Sequence, residues 1–131
     1  MTKAELNTKS PFEKFIRSLR FEGLALAILM VTLTYYSSAP LWILPATFLL
    51  FDICMLAYKI NDKVGARAYN LMHNATIPTL LIVLGLIVHV EWIAVLGFCW
   101  TFHIAVDRAM GYGLKHDTSF QDTHLGKIGK K

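Results

Sequence analysis

None of the thirteen lysines and arginines in this 131-residue chain falls at residues 37–41 or 89–92. Both stretches are short connections between apolar runs. Five cations precede the first run (Lys3, Lys9, Lys14, Arg17, Arg20), and three separate the second from the third (Lys59, Lys63, Arg67). Four more follow the last run (Lys115, Lys127, Lys130, Lys131), and Arg108 stands near its end. Basic residues are retained on the cytosolic side during insertion, so the two cation-free turns face away from the cytosol. Cysteine is equally scarce. Cys54 and Cys99 both lie within apolar runs and form no CxxC pair. That excludes a thiolate metal site or a disulfide framework and leaves two buried thiols packing as small apolar groups. Internal repeats and low-complexity segments are also lacking.

Hydrophobic residues make up 55% of the chain and mean hydropathy is +0.47. The apolar runs cover residues 21–36, 41–58, 69–88 and 92–111. Each approaches the ~20 residues that cross a hydrocarbon core. In lipid, backbone groups must be satisfied within the segment, so spans of this length are helices. The predicted fold is all-α: one integral-membrane domain over residues 1–131, a four-transmembrane-helix up-and-down bundle with both termini cytosolic. A basic lead and a Ser-Ser-Ala end give the first run some likeness to a signal peptide. Pro40 would then follow the cleavage point, and the four-span topology would be lost, so the run is read as a span. The net charge of +4 and pI near 9.2 belong to one membrane face, where anionic lipid accounts for them without a nucleic-acid partner. The expected location is the cytoplasmic (inner) membrane, crossed several times, with the bilayer as the first partner.

Ser10-Pro11-Phe12-Glu13 reads as a helix start. Phe12, Phe15, Ile16 and Leu19 follow at helical spacing, an amphipathic lead-in over residues 1–20 that lies on the inner leaflet before turning into the first span. Pro45 falls within the first turn of the second span, where its missing N–H costs little. Asn61, Asp62 and Gly65 form the inner loop, and Pro78 is expected to kink the third span. Trp42 and Trp92 mark the outer interface, and Tyr58, Tyr69 and Tyr112 the inner one.

Ionisable groups within spans are costly and therefore candidates for function. They are Glu22, Asp52, His73, His103, Asp107 and Arg108. Although successive helices run in opposite directions, counting along each span places all of them in the inner half of the membrane. His103 and Asp107 are spaced i,i+4 and share a helix face. With His73 and Asp52 they make two imidazoles and two carboxylates, a donor set suited to Zn²⁺, Fe²⁺ or Mn²⁺. Glu22 is a candidate further ligand or base, and Arg108 a holder of an anionic group such as phosphate at the mouth. His124, with Asp122 in the polar tail (residues 112–131), is a candidate to fold back over the cluster, where His124 or Glu22 would move protons.

The chemistry expected of this set is metal-assisted hydrolysis of a lipid-linked or amphipathic substrate. Two other classes stay open. One is a structural or partner-binding membrane protein whose His/Asp cluster is interhelical glue, with Asp107 or Asp52 paired to Arg108. The other is a haem or electron-transfer protein ligated by His73 and His103. A transporter lacks polar groups in the outer half, although a homo-oligomer would alter that.

The runs Tyr69-Asn70-Leu71-Met72-His73 and His103-Ile104-Ala105-Val106-Asp107-Arg108-Ala109-Met110-Gly111-Tyr112-Gly113-Leu114-Lys115, with Phe120 and Thr123-His124-Leu125-Gly126, resemble the domain of unknown function 4260. The resemblance covers about residues 20–129 and is most specific in the fourth span and tail. It implies a small bacterial integral-membrane protein with an ordered tail, and it implies no activity. The His/Asp content is also distantly similar to membrane-bound metal-dependent hydrolases, whose Thr-His-Ser signature is here Thr123-His124-Leu125.

Overall fold

The computed structural model describes residues 11–129. The first ten residues, including the proposed Ser10 cap, lie outside the described residues. The fold is mostly helical. Helix α1 (Pro11–Tyr36) runs without interruption, so the lead-in and the first span are one helix with no turn between them. It ends where the Ser37 amide donates to Leu33 and Thr34 carbonyls and the Ser37 hydroxyl donates to Thr34 O at 2.7 Å. The turn that follows is tied to the other cation-free turn. Glu91 Oε1 accepts the Ser38 amide at 2.7 Å, so one acidic residue joins the two.

The second apolar run departs from the expected α-helix. Only Ile43–Thr47 is α-helical (α2), and Phe48–Lys59 continues as a 3₁₀ helix. With three residues per turn, side chains align at i and i+3. The burial pattern follows that period: Leu50, Ile53, Leu56 and Lys59 are exposed, whereas Asp52, Met55 and Tyr58 are half-buried along a second edge.

Helix α3 (Asp62–Met72) opens with the Asn61 side chain accepting the Val64 amide at 2.8 Å. Gly65 is therefore inside a helix and not in the inner loop, and it packs against the Tyr58 ring. The third run does not kink at Pro78. It breaks at residues 73–75 and resumes as α4 (Thr76–Ile87), with Pro78 in the first turn. Proline cannot donate to the carbonyl four residues back and its ring collides with that carbonyl, here Asn74. The chain relieves the collision by leaving the helix just before. Asn74 Oδ1 then accepts from the Thr76 amide and hydroxyl at 2.9 and 2.6 Å.

Helix α5 (Glu91–Met110) is the central element, with buried residues along its length from Ala94 to Asp107. It stops at Gly111 in the left-handed region (φ 97°), where the Gly111 and Tyr112 amides donate to Arg108 and Asp107 carbonyls. The core joins Met30, Leu44, Phe51, Val95, Phe98 and Cys99. Small residues let backbones touch: a Cβ at Gly23 would lie 2.7 Å from Ala109 N, and one at Gly97 would lie 2.7 Å from Pro78 O. Close backbone approach through small residues is how helices pack where lipid removes the hydrophobic drive. Among the described residues, two helical stretches, Asp62–Ile87 (α3 and α4 together) and Glu91–Met110, are long and apolar enough to cross a membrane.

After α5 the tail folds back. Asp122–Thr123 (β1) pairs antiparallel with Gly126–Lys127 (β2), and Lys115 bridges to Thr123. The Asn70 side chain acts as a strand partner for Lys115, donating to its carbonyl at 2.8 Å and accepting its amide at 2.6 Å.

Replacing Gly97 with valine is expected to force α4 and α5 apart and cost about 1–3 kcal/mol, read as a lower unfolding temperature in detergent. An unchanged transition would contradict the close contact with Pro78.

Candidate metal centre

His73 is the first residue of the break, just past the end of α3, and its position follows from that break. Its carbonyl has no helical donor and is taken by Arg108 Nη2 at 2.9 Å. The neighbouring Met72 carbonyl accepts Trp100 Nε1 at 2.6 Å. Both donors come from α5, so the interrupted helix is capped by the helix that carries His103 and Asp107. Arg108 Nη1 also donates to Tyr112 O at 2.6 Å. The guanidinium is thus committed to backbone, and neither aspartate is its partner among the described salt bridges. The expected Asp–Arg pairing is not what holds these helices together.

His73 Nδ1 lies 3.0 Å from Tyr69 O. A carbonyl only accepts, so Nδ1 carries the proton and the Nε2 lone pair is free. That lone pair faces three other candidate donors. His103 Nε2 is 2.9 Å away, Asp107 Oδ2 3.3 Å and Asp52 Oδ1 3.5 Å. His103 Nε2 is 3.5 Å from Asp52 Oδ1 and 3.8 Å from Asp107 Oδ2. One ligand atom from each of the four residues lies within 4.8 Å of all the others. Both histidine side chains are fully buried, whereas Asp107 is 12% and Asp52 23% exposed. The structure thus brings together the four residues named from sequence as metal ligands.

Aromatic rings fix the imidazoles. The Tyr69 ring stacks on His73 at 3.7 Å between centroids, with 9° between planes. Phe48 and Phe51 flank His103 at 4.5 and 5.5 Å. These two phenylalanines are three residues apart and share one edge of the 3₁₀ helix, while Asp52 reaches the two histidines from the next edge. Tyr69 further donates to Asp107 Oδ2 at 3.3 Å. His103 Nδ1 is buried without a closed hydrogen bond among the described residues.

The donor spacings suit a small divalent ion. Bonds of ~2.0–2.2 Å in tetrahedral geometry place ligand atoms roughly 3.4 Å apart, and the five separations above run from 2.9 to 3.8 Å. Haem is a poorer fit: axial nitrogens on opposite faces of an iron, each bonded at about 2 Å, need ~4 Å between them. Nε2 atoms 2.9 Å apart leave no room for a porphyrin.

Glu22 lies outside this group. It lines a cleft of about 420 Å³ with His73, Asn74, Arg108, Leu114 and His124, between α1 and the tail. His124 accepts the Leu114 amide on Nδ1 at 2.8 Å, which leaves its proton on Nε2. Burial, with Arg108 close by, lowers the tendency of His124 to take a second proton. Asp122 instead accepts from Thr118 at 2.7 Å and pairs with Lys127 at 3.4 Å, both within the tail.

Sequence reasoning passed over Tyr69 and Lys115. Tyr69 is four residues before His73, a spacing that already placed the two on one helix face. Lys115 is buried, with Nζ 4.9 Å from the Tyr69 centroid and 3.9 Å from that of Phe120. Phe120 in turn meets the Tyr58 ring edge-on at 5.3 Å.

Burial lowers the Lys115 ammonium from 10.5 to about 8. Between those values the unfolded chain holds the proton and the folded chain does not, so this group's contribution to stability rises with pH across that window. The Lys115 Nζ resonance is expected to titrate with a midpoint near 8, and Phe120→Ala to move it back toward 10.5. A midpoint already at the ordinary value would contradict the burial. Arg108→Met is expected to cost about 1–3 kcal/mol, because two inward carbonyls lose their donor. An unaltered melting temperature would show the cap to be dispensable.

No curated protein sequence and no solved structure matches this chain. One family model does, the domain of unknown function described as DUF4260, over residues 17–128. With most of its length matched, the chain belongs to that family of unknown function.

Proposed function

We propose that the protein crosses the cytoplasmic membrane four times with both ends inside and binds one divalent metal ion through Asp52, His73, His103 and Asp107. Its proposed activity is metal-assisted hydrolysis of a lipid-linked or amphipathic substrate. The observation that carries the metal reading is the convergence of His73 Nε2, with its lone pair turned inward by the Tyr69 carbonyl, on three other ligand atoms. Two carboxylates and two neutral imidazoles carry a charge of about −2, which a divalent cation cancels; an uncompensated charge would be costly at this depth.

The four-span reading rests on the cation-free turns and on the outward surface. Leu24, Ile28, Leu49, Leu80, Leu86 and Leu96 are among the many large apolar side chains that are exposed. Such a surface is unfavourable in water and suited to lipid. Trp42 and Trp92 are exposed near the two outer turns, at the depth where indole favours the interface.

A divalent ion held here supplies Lewis acidity to a carbonyl or phosphoryl oxygen and acidifies water near neutral pH. The chain's own contribution is order. Tyr69 fixes the His73 ring and holds Asp107, Phe48 and Phe51 hold His103, and Arg108 and Trp100 hold the break from which His73 projects. Glu22 and His124, which line one cleft, would exchange protons with the cytosol.

One observation favours the rival reading of interhelical glue. A separation of 2.9 Å between the two Nε2 atoms also suits a direct imidazole–imidazole hydrogen bond. Elemental analysis separates the readings. Purified wild type is expected to carry close to one equivalent of Zn, Fe or Mn, and His103→Ala to lose most of it. Metal-free wild type, prepared without chelators, would leave the glue reading in possession.

A further inference from the structure

The four-residue centre is not equally open on its sides. On its Tyr69 face it is covered in layers, while the cleft of Glu22 and His124 reaches His73 from another side. The Tyr69 ring lies flat on His73, the buried Lys115 ammonium sits over Tyr69, and Phe120 closes over Lys115 and touches Tyr58. Both imidazoles are fully buried, and Asp52 is the most exposed of the four ligands at 23%.

Asp52 opens onto a groove of about 560 Å³ along the 3₁₀ helix. Its wall is mainly apolar, formed by Leu49, Ile53, Met55, Leu56 and Tyr58. Leu49, Ile53 and Leu56 are exposed, on the surface that faces lipid in a four-span protein. Lys59 also lines it, at the end where Lys63 and Arg67 follow in the chain. The groove thus pairs a hydrocarbon wall with a cation at the headgroup end.

Resting on the metal-centre reading, we infer that substrate reaches the centre sideways from the inner leaflet through this groove, and that it is an anionic glycerophospholipid cleaved at an acyl ester. Asp52 lies seven residues from Lys59, about 14 Å along a 3₁₀ helix, and the four-carbon lysine stem covers part of that distance. A lipid whose phosphate meets Lys59 therefore presents to Asp52 the groups on the hydrocarbon side of the phosphate, which are the acyl esters, and leaves the phosphodiester at the rim. Water adds to the ester carbonyl, the acyl carbon–oxygen bond breaks, and the departing alkoxide takes up a proton. The products are a fatty acid and a lysophospholipid, and no co-reactant beyond water is needed. The period of three serves this arrangement: it sets Asp52 toward the imidazoles while Ile53 and Leu56 stay in the lipid-facing wall.

The test uses the full chain reconstituted in vesicles of phosphatidylglycerol or of phosphatidylcholine, with released fatty acid measured by mass spectrometry and metal content measured on the same samples. Wild type is expected to release fatty acid faster from phosphatidylglycerol. Leu56→Trp, which fills the groove from an exposed position, is expected to slow release by about tenfold with metal content unchanged. Lys59→Glu is expected to abolish or reverse the preference for the anionic lipid. Metal-loaded wild type that releases no fatty acid, releases headgroup instead, or works at full rate as Leu56→Trp would overturn this inference while the metal centre stands. Wild type without metal would overturn the centre itself.

Discussion

A helix interrupted inside an apolar bundle exposes carbonyl oxygens that nothing local can satisfy, and the rest of this structure is arranged around that problem. Pro78 forbids a continuous helix through Asn74, so the chain breaks after Met72. The freed carbonyls of Met72 and His73 are taken by Trp100 and Arg108. Because both donors belong to α5, the cap fixes the height and rotation of α5 against the break. His103 and Asp107 then face His73. The polar backbone repair and the candidate site are one construction, and Arg108 contributes to the site by holding its scaffold.

The second constraint is electrostatic. Two carboxylates so close together repel, and in a low-dielectric setting their repulsion is poorly screened. A single tyrosine hydroxyl on Asp107 offsets only part of that, and Lys115 stands off behind the Tyr69 ring. A divalent cation at the focus of the four ligands, as proposed, would offset that repulsion. Two openings reach such a centre: the largely apolar groove at Asp52 and the more polar cleft of Glu22 and His124, which is also lined by His73.

Much of the site was legible before any coordinates. The i,i+4 spacing of His103 and Asp107 places both on one face of α5, and counting inward from the basic ends of the apolar runs brings Asp52 and His73 to the same layer. The break was harder to see, because proline acts on the carbonyl four residues upstream and the interruption therefore falls at residues 73–75. The 3₁₀ helix was not legible either. Phe48–Lys59 is almost wholly apolar, so it holds too few polar residues for its hydropathy to distinguish a period of 3.0 from one of 3.6. Gly65 reads as a turn residue in isolation, yet it serves the close approach of the Tyr58 ring. Lys115 looked like part of a solvated basic end because its burial depends on Asn70, Tyr69 and Phe120, which are brought to it only by the folded tail.

The central claim is that one cation is shared by two imidazoles and two carboxylates drawn from the 3₁₀ helix, the broken helix and α5. X-ray absorption at the edge of the bound metal tests it most directly. The account predicts a nitrogen/oxygen shell at about 2.0–2.2 Å, with outer scattering from two imidazole rings that falls to one ring in His73→Ala. Sulfur in the first shell, or a spectrum without imidazole scattering, would contradict it.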